Sequence, residues 1–332
     1  MEKQFNEDGL LYSEHYEETM NGTVLPFLQA RQTDETVRGF EDRPLFTSRF
    51  QADDPMHGTV FIVHGFTENA VKYSELIFSL LQNGFNVLAY DQRGHGRSWR
   101  DEKVKDVSVT HVKSFNEYEK DLFCICRAME GKLPKPWRIF CHSMGGAVSA
   151  LFLQRHPDVF ERAAFCAPMI AINRRGFPFF LMKLIMRTFI AAGKGCQCVF
   201  ISKPYNGREH FEGACATGRE RFEWYSGVKD SHEAFHNNCA SYSWILEALK
   251  VSQWLLAPGA AKKIACPVNV YSAEDDWEVL VNAQKMFVKK LRQGQIRCIP
   301  GSRHEIYRST DEVLFPWWRE VLSFLKDRKS VV

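Results

Sequence analysis

Short apolar runs that alternate with helix-like stretches constrain this chain more than any other feature. Thr59-Val60-Phe61-Ile62-Val63 is a continuous apolar run of strand length that stops at His64-Gly65. Glu75 to Asn83 then carries Leu76 with Leu80 and Ile77 with Leu81 at helical spacing, and Gly84 closes it. Phe85 to Tyr90 reads as the next strand, Phe115 to Met129 as a helix, and Trp137 to Cys141 as a strand. Gly145 to Arg155 reads as a helix ended by His156-Pro157, and Ala163 to Ala167 as a strand. A strand apolar at successive positions, rather than alternate ones, is buried on both faces, as a parallel strand covered by helices above and below must be. The predicted fold class is therefore α/β, with a mostly parallel central sheet and helices on both faces.

From about Pro168 to Lys263 this rhythm stops, and the pattern is helical or irregular with no clear strand. It resumes with Pro267 to Ala273 (strand), Asn282 to Arg292 (helix), Gln295 to Pro300 (strand) and Val313 to Lys326 (helix). The 332 residues are thus expected to divide into an irregular or helical N-terminal arm over 1–40, a core over 41–167 and 264–332, and an inserted helical cap over 168–263.

Composition removes several functional classes. The formal net charge is +3 with no basic stripe, which argues against a nucleic-acid partner. Ten cysteines are present, yet none forms a C-x-x-C pair, and the histidine spacings converge on no ligand set, so no metal or other cofactor is expected. Free thiols in a reducing compartment are the simpler reading. The chain opens on Met1-Glu2-Lys3-Gln4-Phe5 without an apolar run, and Gly176 to Gly193 is interrupted by Lys183 and Arg187, so neither a secretory signal nor a spanning helix is expected. A cytoplasmic location follows, with peripheral contact on the inner face of the cytoplasmic membrane as an extension of it.

The chemistry concentrates at Cys141-His142-Ser143-Met144-Gly145-Gly146, where a strand passes into a helix through a tight turn. Such a turn exposes a serine Oγ at the carboxyl edge of a sheet, and small neighbours let strand and helix approach. The N–H of Met144, following the serine, points at a developing oxyanion. Cys141 stands where glycine is usual in G-x-S-x-G, so the turn must accommodate a side chain there. His64-Gly65-Phe66 follows the first apolar strand and can supply a second oxyanion donor, the N–H of Phe66.

A nucleophilic serine needs a base, and the base an orienting acid. His304 follows the last predicted strand, in Gly301-Ser302-Arg303-His304-Glu305. The acid lies in Glu274-Asp275-Asp276, with Asp276 preferred and Asp275 the alternative. His142 reads as structural, and His111, His210, His232 and His236 follow no predicted strand end. The loop Asp91 to Ser98 reads as scaffold beside the site.

These segments, together with Val71-Lys72-Tyr73, Phe152-Leu153-Gln154-Arg155-His156-Pro157 and His304-Glu305-Ile306, resemble the lysophospholipase and monoacylglycerol-lipase branch of the α/β-hydrolases. Within that branch the similarity is greatest to bacterial lysophospholipases of the L2 type and covers roughly residues 40 to 327. The resemblance implies an α/β-hydrolase fold, a Ser143–Asp276–His304 triad with Phe66 and Met144 as oxyanion donors, and a lysophospholipid substrate. Monoacylglycerol lipase, another carboxylesterase, a proline-iminopeptidase-type peptidase and a non-catalytic lipid carrier are the rival expectations. The apolar, cation-flanked stretch Arg174 to Arg187 can line an acyl tunnel, meet a membrane surface, or simply bury its apolar side on the core.

Overall fold

The computed structural model of the protein describes residues 4–326. Eight strands form its central sheet: β1 (Gln32–Arg38), β2 (Pro44–Phe50), β3 (Thr59–Val63), β4 (Asn86–Tyr90), β5 (Trp137–His142), β6 (Arg162–Cys166), β7 (Val268–Asp275) and β8 (Gly294–Arg303). They lie in the order β1-β2-β4-β3-β5-β6-β7-β8. Strand β2 pairs antiparallel with both neighbours, and the remaining pairings are parallel. Every residue of β3, β4, β5 and β6 is buried, which explains their unbroken apolar runs. This is the expected α/β-hydrolase architecture.

Two helices cover one face, α1 (Ser74–Gln82) before β4 and α8 (Asp311–Lys326) after β8. The opposite face is covered by α2 (Asn116–Met129), α3 (Met144–Arg155), α6 (Tyr242–Leu255) and α7 (Val281–Val288). Between β6 and β7 lie α4 (Phe179–Phe189), α5 (Arg219–Asp230) and α6, and within this insertion Cys239–Ala240 pairs with Val109–Thr110 as a two-residue ladder. Helix α6 joins the core directly. Its Trp244, Ala248, Val251 and Leu255 belong to the main apolar cluster, and Glu247 accepts the Phe115 N–H at 2.9 Å.

The N-terminal segment departs from the arm expected over 1–40. Residues 16–29 are helical, but Gln32–Arg38 is no arm: it is the edge strand β1 of the sheet. Only Val37 of this strand is buried, so its sequence, Gln-Thr-Asp-Glu-Thr-Val-Arg, lacks the apolar run by which buried strands are read. Charged side chains on such an edge also discourage pairing with another chain. Strand β2 lacks that signature for a related reason, because Thr47, Ser48 and Arg49 interrupt its apolar residues. Before β1, Leu10, Leu11, Met20 and Val24 pack into the apolar cluster with α1 and α8.

One buried guanidinium ties these parts together. Arg221 of α5 is 1% exposed and donates to both oxygens of Glu75 on α1, at 2.9 and 3.0 Å. It also donates to Asp311 at the start of α8 (2.7 Å) and to the Leu11 carbonyl (2.6 Å). Removing one member of a buried ion pair leaves the other desolvated and uncompensated, at a cost of about 3–5 kcal/mol. Arg221→Met is expected to lose about 3 kcal/mol of unfolding free energy in urea titration. A loss under about 1 kcal/mol would show that the clamp contributes only as a surface pair does.

Candidate active site

Ser143 occupies the turn between β5 and α3, with φ 48° and ψ −116°. A non-glycine residue there is strained, and the strain persists only where the surroundings over-determine it. Here the two following glycines do so. A Cβ at Gly145 would lie 2.0 Å from the Val63 carbonyl oxygen, and one at Gly146 would lie 2.4 Å from Pro168 Cβ. The first turn of α3 therefore lies directly on the end of β3. The turn is further held by Ser143 N–H donating to the Cys166 carbonyl (3.1 Å) and by the Met169 N–H donating to the Ser143 carbonyl (2.8 Å). Cys141 fits inside β5, fully buried between Val63 and Phe165. Burial pushes its thiol far above the ordinary range, so it stays neutral and unreactive.

The structure brings His304 to this serine. Its Nε2 lies 2.8 Å from Ser143 Oγ, and its Nδ1 lies 2.8 Å from Asp276 Oδ2. Asp276 follows β7, as the sequence order requires, and its Oδ1 accepts the N–H groups of Glu278 (3.0 Å) and Val279 (3.1 Å). Asp275 is the last residue of β7, paired in register with Arg303, and is exposed. Of the two candidate acids, Asp276 is the one placed against the imidazole. Burial would lift the Asp276 carboxyl, but the His304 hydrogen bond and charge and the two N–H donors hold it below 3.8. Burial likewise opposes a charged His304, yet Asp276, with Glu278 and Glu305 further out, raises its pKa above 6.5. Ser143 and His304 are 7% and 5% exposed, so the hydrogen-bonded chain is largely screened from solvent.

Met144 is the first residue of α3, so its N–H is among those a helix leaves without an internal partner. Phe66 follows β3, with Thr67 after it at φ 60°. The Phe66 ring lies 4.2 Å, centroid to centroid, from Trp244 of α6. Behind it, His64 Nε2 accepts the Gln92 N–H (2.9 Å), which leaves Nδ1–H to donate to the Gly65 carbonyl (2.8 Å). Burial lowers the His64 pKa, so this brace is neutral. Thr67, Ser143 and Ala167 all have positive φ and all follow parallel strands. Backbone strain thus gathers at one sheet edge.

The Asp91-to-Ser98 loop is bracing, as read. Asp91 accepts the Ala70 and Arg97 N–H groups (2.8 and 2.9 Å), and Arg93 pairs with Asp121 and Glu117 of α2. His111 bonds to Ser241 at 2.9 Å, away from Ser143. His142 is structural, its ring set between Glu68 (Nδ1, 3.2 Å) and the His304 carbonyl oxygen (Nε2, 3.1 Å). The sequence reading missed Glu68, which lies 2% exposed beside these loops and accepts from several of them. A lone carboxylate in a polar loop carries no signal of burial. Among the described residues no group of three or more His, Cys, Asp or Glu side chains is placed to hold a metal.

A family model described as serine aminopeptidase, S33, matches residues 54–311. The chain belongs to this family. It is 42% identical over 161 residues to lysophospholipase L2 of Escherichia coli (strain K12), a match that spans 47% of this chain and 45% of that protein. The similarity to probable lysophospholipase L2 of Haemophilus influenzae is 22% over 292 residues, 87% of this chain and 90% of that one. This S33 family member also superposes on a soluble variant of monoglyceride lipase from Saccharomyces cerevisiae, with a TM-score of 0.68 at 17% identity, over 88% of this chain and 96% of that one.

A raised His304 pKa has a definite sign. Below that value the imidazole is protonated and cannot take the Ser143 proton, so the rate of Ser143 labelling by a fluorophosphonate is expected to rise with pH through a midpoint above 6.5. Asp276→Asn removes the carboxylate that raises the pKa. It is expected to move this midpoint to lower pH and to slow labelling by about 10³–10⁴-fold. An unchanged profile in Asp276→Asn would show that the carboxylate does not govern His304.

Proposed function

We propose that this protein is a serine hydrolase that cleaves the acyl ester of lysophospholipids through an acyl-enzyme. The observation that carries the reading is the continuous hydrogen-bonded chain from Ser143 through His304 to Asp276 at a strained turn. His304 takes the Ser143 proton as Oγ attacks the ester carbonyl, and the N–H groups of Met144 and Phe66 hold the oxyanion. His304 then protonates the departing glycerophosphodiester alcohol. Water, deprotonated by the same imidazole, attacks the acyl-Ser143, and the fatty acid leaves as Oγ regains its proton. Asp276 keeps Nδ1 protonated and stabilises the transient imidazolium.

The lysophospholipid assignment is supported by the similarity to lysophospholipase L2 of Escherichia coli and probable lysophospholipase L2 of Haemophilus influenzae. Monoacylglycerol hydrolysis is the nearest alternative, supported by 28% identity over 130 residues to monoglyceride lipase of Rattus norvegicus. The family description itself makes an aminoacyl substrate a necessary control.

The cap supports peripheral contact with an anionic bilayer. Helix α4 turns Met182 and Met186 inward and leaves Phe180 (72%) and Leu184 (58%) exposed, with Phe200 and Ile201 exposed beside them. From Arg162 to Arg208 the sequence contains no Asp or Glu, while Arg174, Arg175, Lys183, Arg187 and Lys194 all fall there. Exposed apolar residues in a segment that carries cations and no acidic residue are matched to an anionic lipid surface. Among the described residues no helix is long and apolar enough to cross a membrane.

Ser143→Ala is expected to lower turnover by about 10⁴-fold or more with the fold intact. Near-full activity in that variant would refute the nucleophile. A panel of lysophospholipid, monoacylglycerol, p-nitrophenyl ester and aminoacyl substrates is expected to give the highest kcat/KM on lysophospholipid, and a higher value on the aminoacyl compound would overturn the ester reading. Neutralising Arg174, Arg175, Lys183 and Arg187 together is expected to abolish co-sedimentation with anionic liposomes; undiminished sedimentation would remove the membrane contact.

A further inference from the structure

The Glu68 carboxylate receives donors from three different catalytic segments at once. The Gly65 N–H, in the loop that carries Phe66, donates to Oε2 at 2.5 Å. His142, which precedes Ser143, places Nδ1 at 3.2 Å. From the segment that carries His304, the Tyr307 hydroxyl donates to Oε1 at 2.6 Å. Tyr73 OH (2.5 Å) and Lys72 Nζ (3.0 Å) complete the set. Lys72 also reaches Glu305, the neighbour of His304, at 2.6 Å. The same His142 ring also faces the His304 segment, its Nε2 lying 3.1 Å from the His304 carbonyl oxygen.

From this convergence we infer that Glu68 is a positioning residue for the reaction proposed above: it fixes the oxyanion loop, the serine turn and the base relative to one another. The inference rests on Ser143 being the nucleophile. An ionised carboxylate only accepts, and its two oxygens offer about four lone-pair sites, so it can take donors from all sides. An amide cannot, because its NH₂ would meet N–H and O–H donors. The packing leaves no slack, for a Cβ at Gly65 would lie 2.8 Å from both Glu68 Oε2 and His142 Nδ1. The buried negative charge is balanced by Lys72, and the further pair Glu305–Arg308 (2.7 Å) continues the network behind the His304 loop. Glu68 touches no reacting atom. Its effect is on where the N–H of Phe66, Ser143 Oγ and His304 Nε2 stand, and displacements of about 1 Å in such groups cost rates on the order of 10²-fold.

The test measures the second-order rate constant of fluorophosphonate labelling and, separately, the fraction of protein that finally labels. Kinetics on a p-nitrophenyl ester accompany it. Glu68→Gln in the full chain is expected to lower the labelling constant and kcat by about 10–100-fold, with KM changed by less than about threefold. A purely structural role would instead reduce the labelled fraction and leave the rate constant of the folded molecules unchanged. Where Glu68→Gln does not fold, Tyr307→Phe and Lys72→Met each remove one donor and are expected to slow labelling by about three- to tenfold at full labelled fraction. Rate constants within about twofold of wild type in the folded variants overturn the inference. A wild-type protein that takes no label at Ser143 overturns the hydrolase reading with it, whereas a labelled wild type and an equally fast Glu68→Gln overturn the positioning role alone.

Discussion

The close approach of α3 to the end of β3 is the contact on which the rest of the site depends. At Gly145 the helix backbone meets the Val63 and His64 carbonyls with no room for a side chain. That contact forces the chain to turn within one residue, which puts Ser143 at φ 48° and turns its Oγ away from the sheet. It also leaves the N-terminal N–H groups of α3 facing the space above the strand ends. Strain of this kind costs of order 1–3 kcal/mol. Burial of α3 on the sheet offsets it, since every residue from Met144 to Leu153 is buried. The parallel sheet then determines what can reach the serine, because β3, β6, β7 and β8 all deliver the loops after them to the same edge.

This dependence explains what was legible in the sequence. The elbow is local, and strand, turn and helix lie within twenty residues, so Ser143, Met144 and the paired glycines could be read directly. His304 and Asp276 were legible by position in the strand series, although they are 161 and 28 residues from their partners. The choice between Asp275 and Asp276 was legible only as a preference for Asp276, because it depends on which residue ends β7. Asp275 remains in the strand, in register with Arg303, and Asp276 is the first residue free to turn toward the imidazole. Strand β1 was missed because an edge strand with one buried residue has no apolar signature. Glu68 was missed because its partners come from residues as distant as Tyr307.

The buried charges share a logic. Glu68, Lys72, Glu305 and Arg308 alternate in sign behind the His304 loop, and Glu75, Arg221 and Asp311 do so beneath α5. Buried ion pairs add little net stability over apolar residues of the same size, because desolvation consumes most of their attraction. Their distinctive property is intolerance of displacement: moving one member leaves another desolvated and unpaired. Apolar packing fixes distances between helices and sheet but permits sliding. A charge network permits very little, and here it occupies the loops whose relative placement the chemistry depends on.

The insertion between β6 and β7 has two unequal halves. Helix α5 is held by ions, through Arg221 to Glu75 and Asp311, and by the Tyr225 hydroxyl, which accepts from Asn69 at 2.7 Å. Helix α4 is held by apolar contact, Met182 and Met186 facing inward and Phe189 stacked on Tyr242 at 4.4 Å. Lifting α5 would strand Glu75 and Asp311 without their guanidinium, whereas lifting α4 would expose only apolar surface. The insertion is therefore fastened unequally: apolar contact holds α4, and the buried charges under α5 keep that half registered on the catalytic edge.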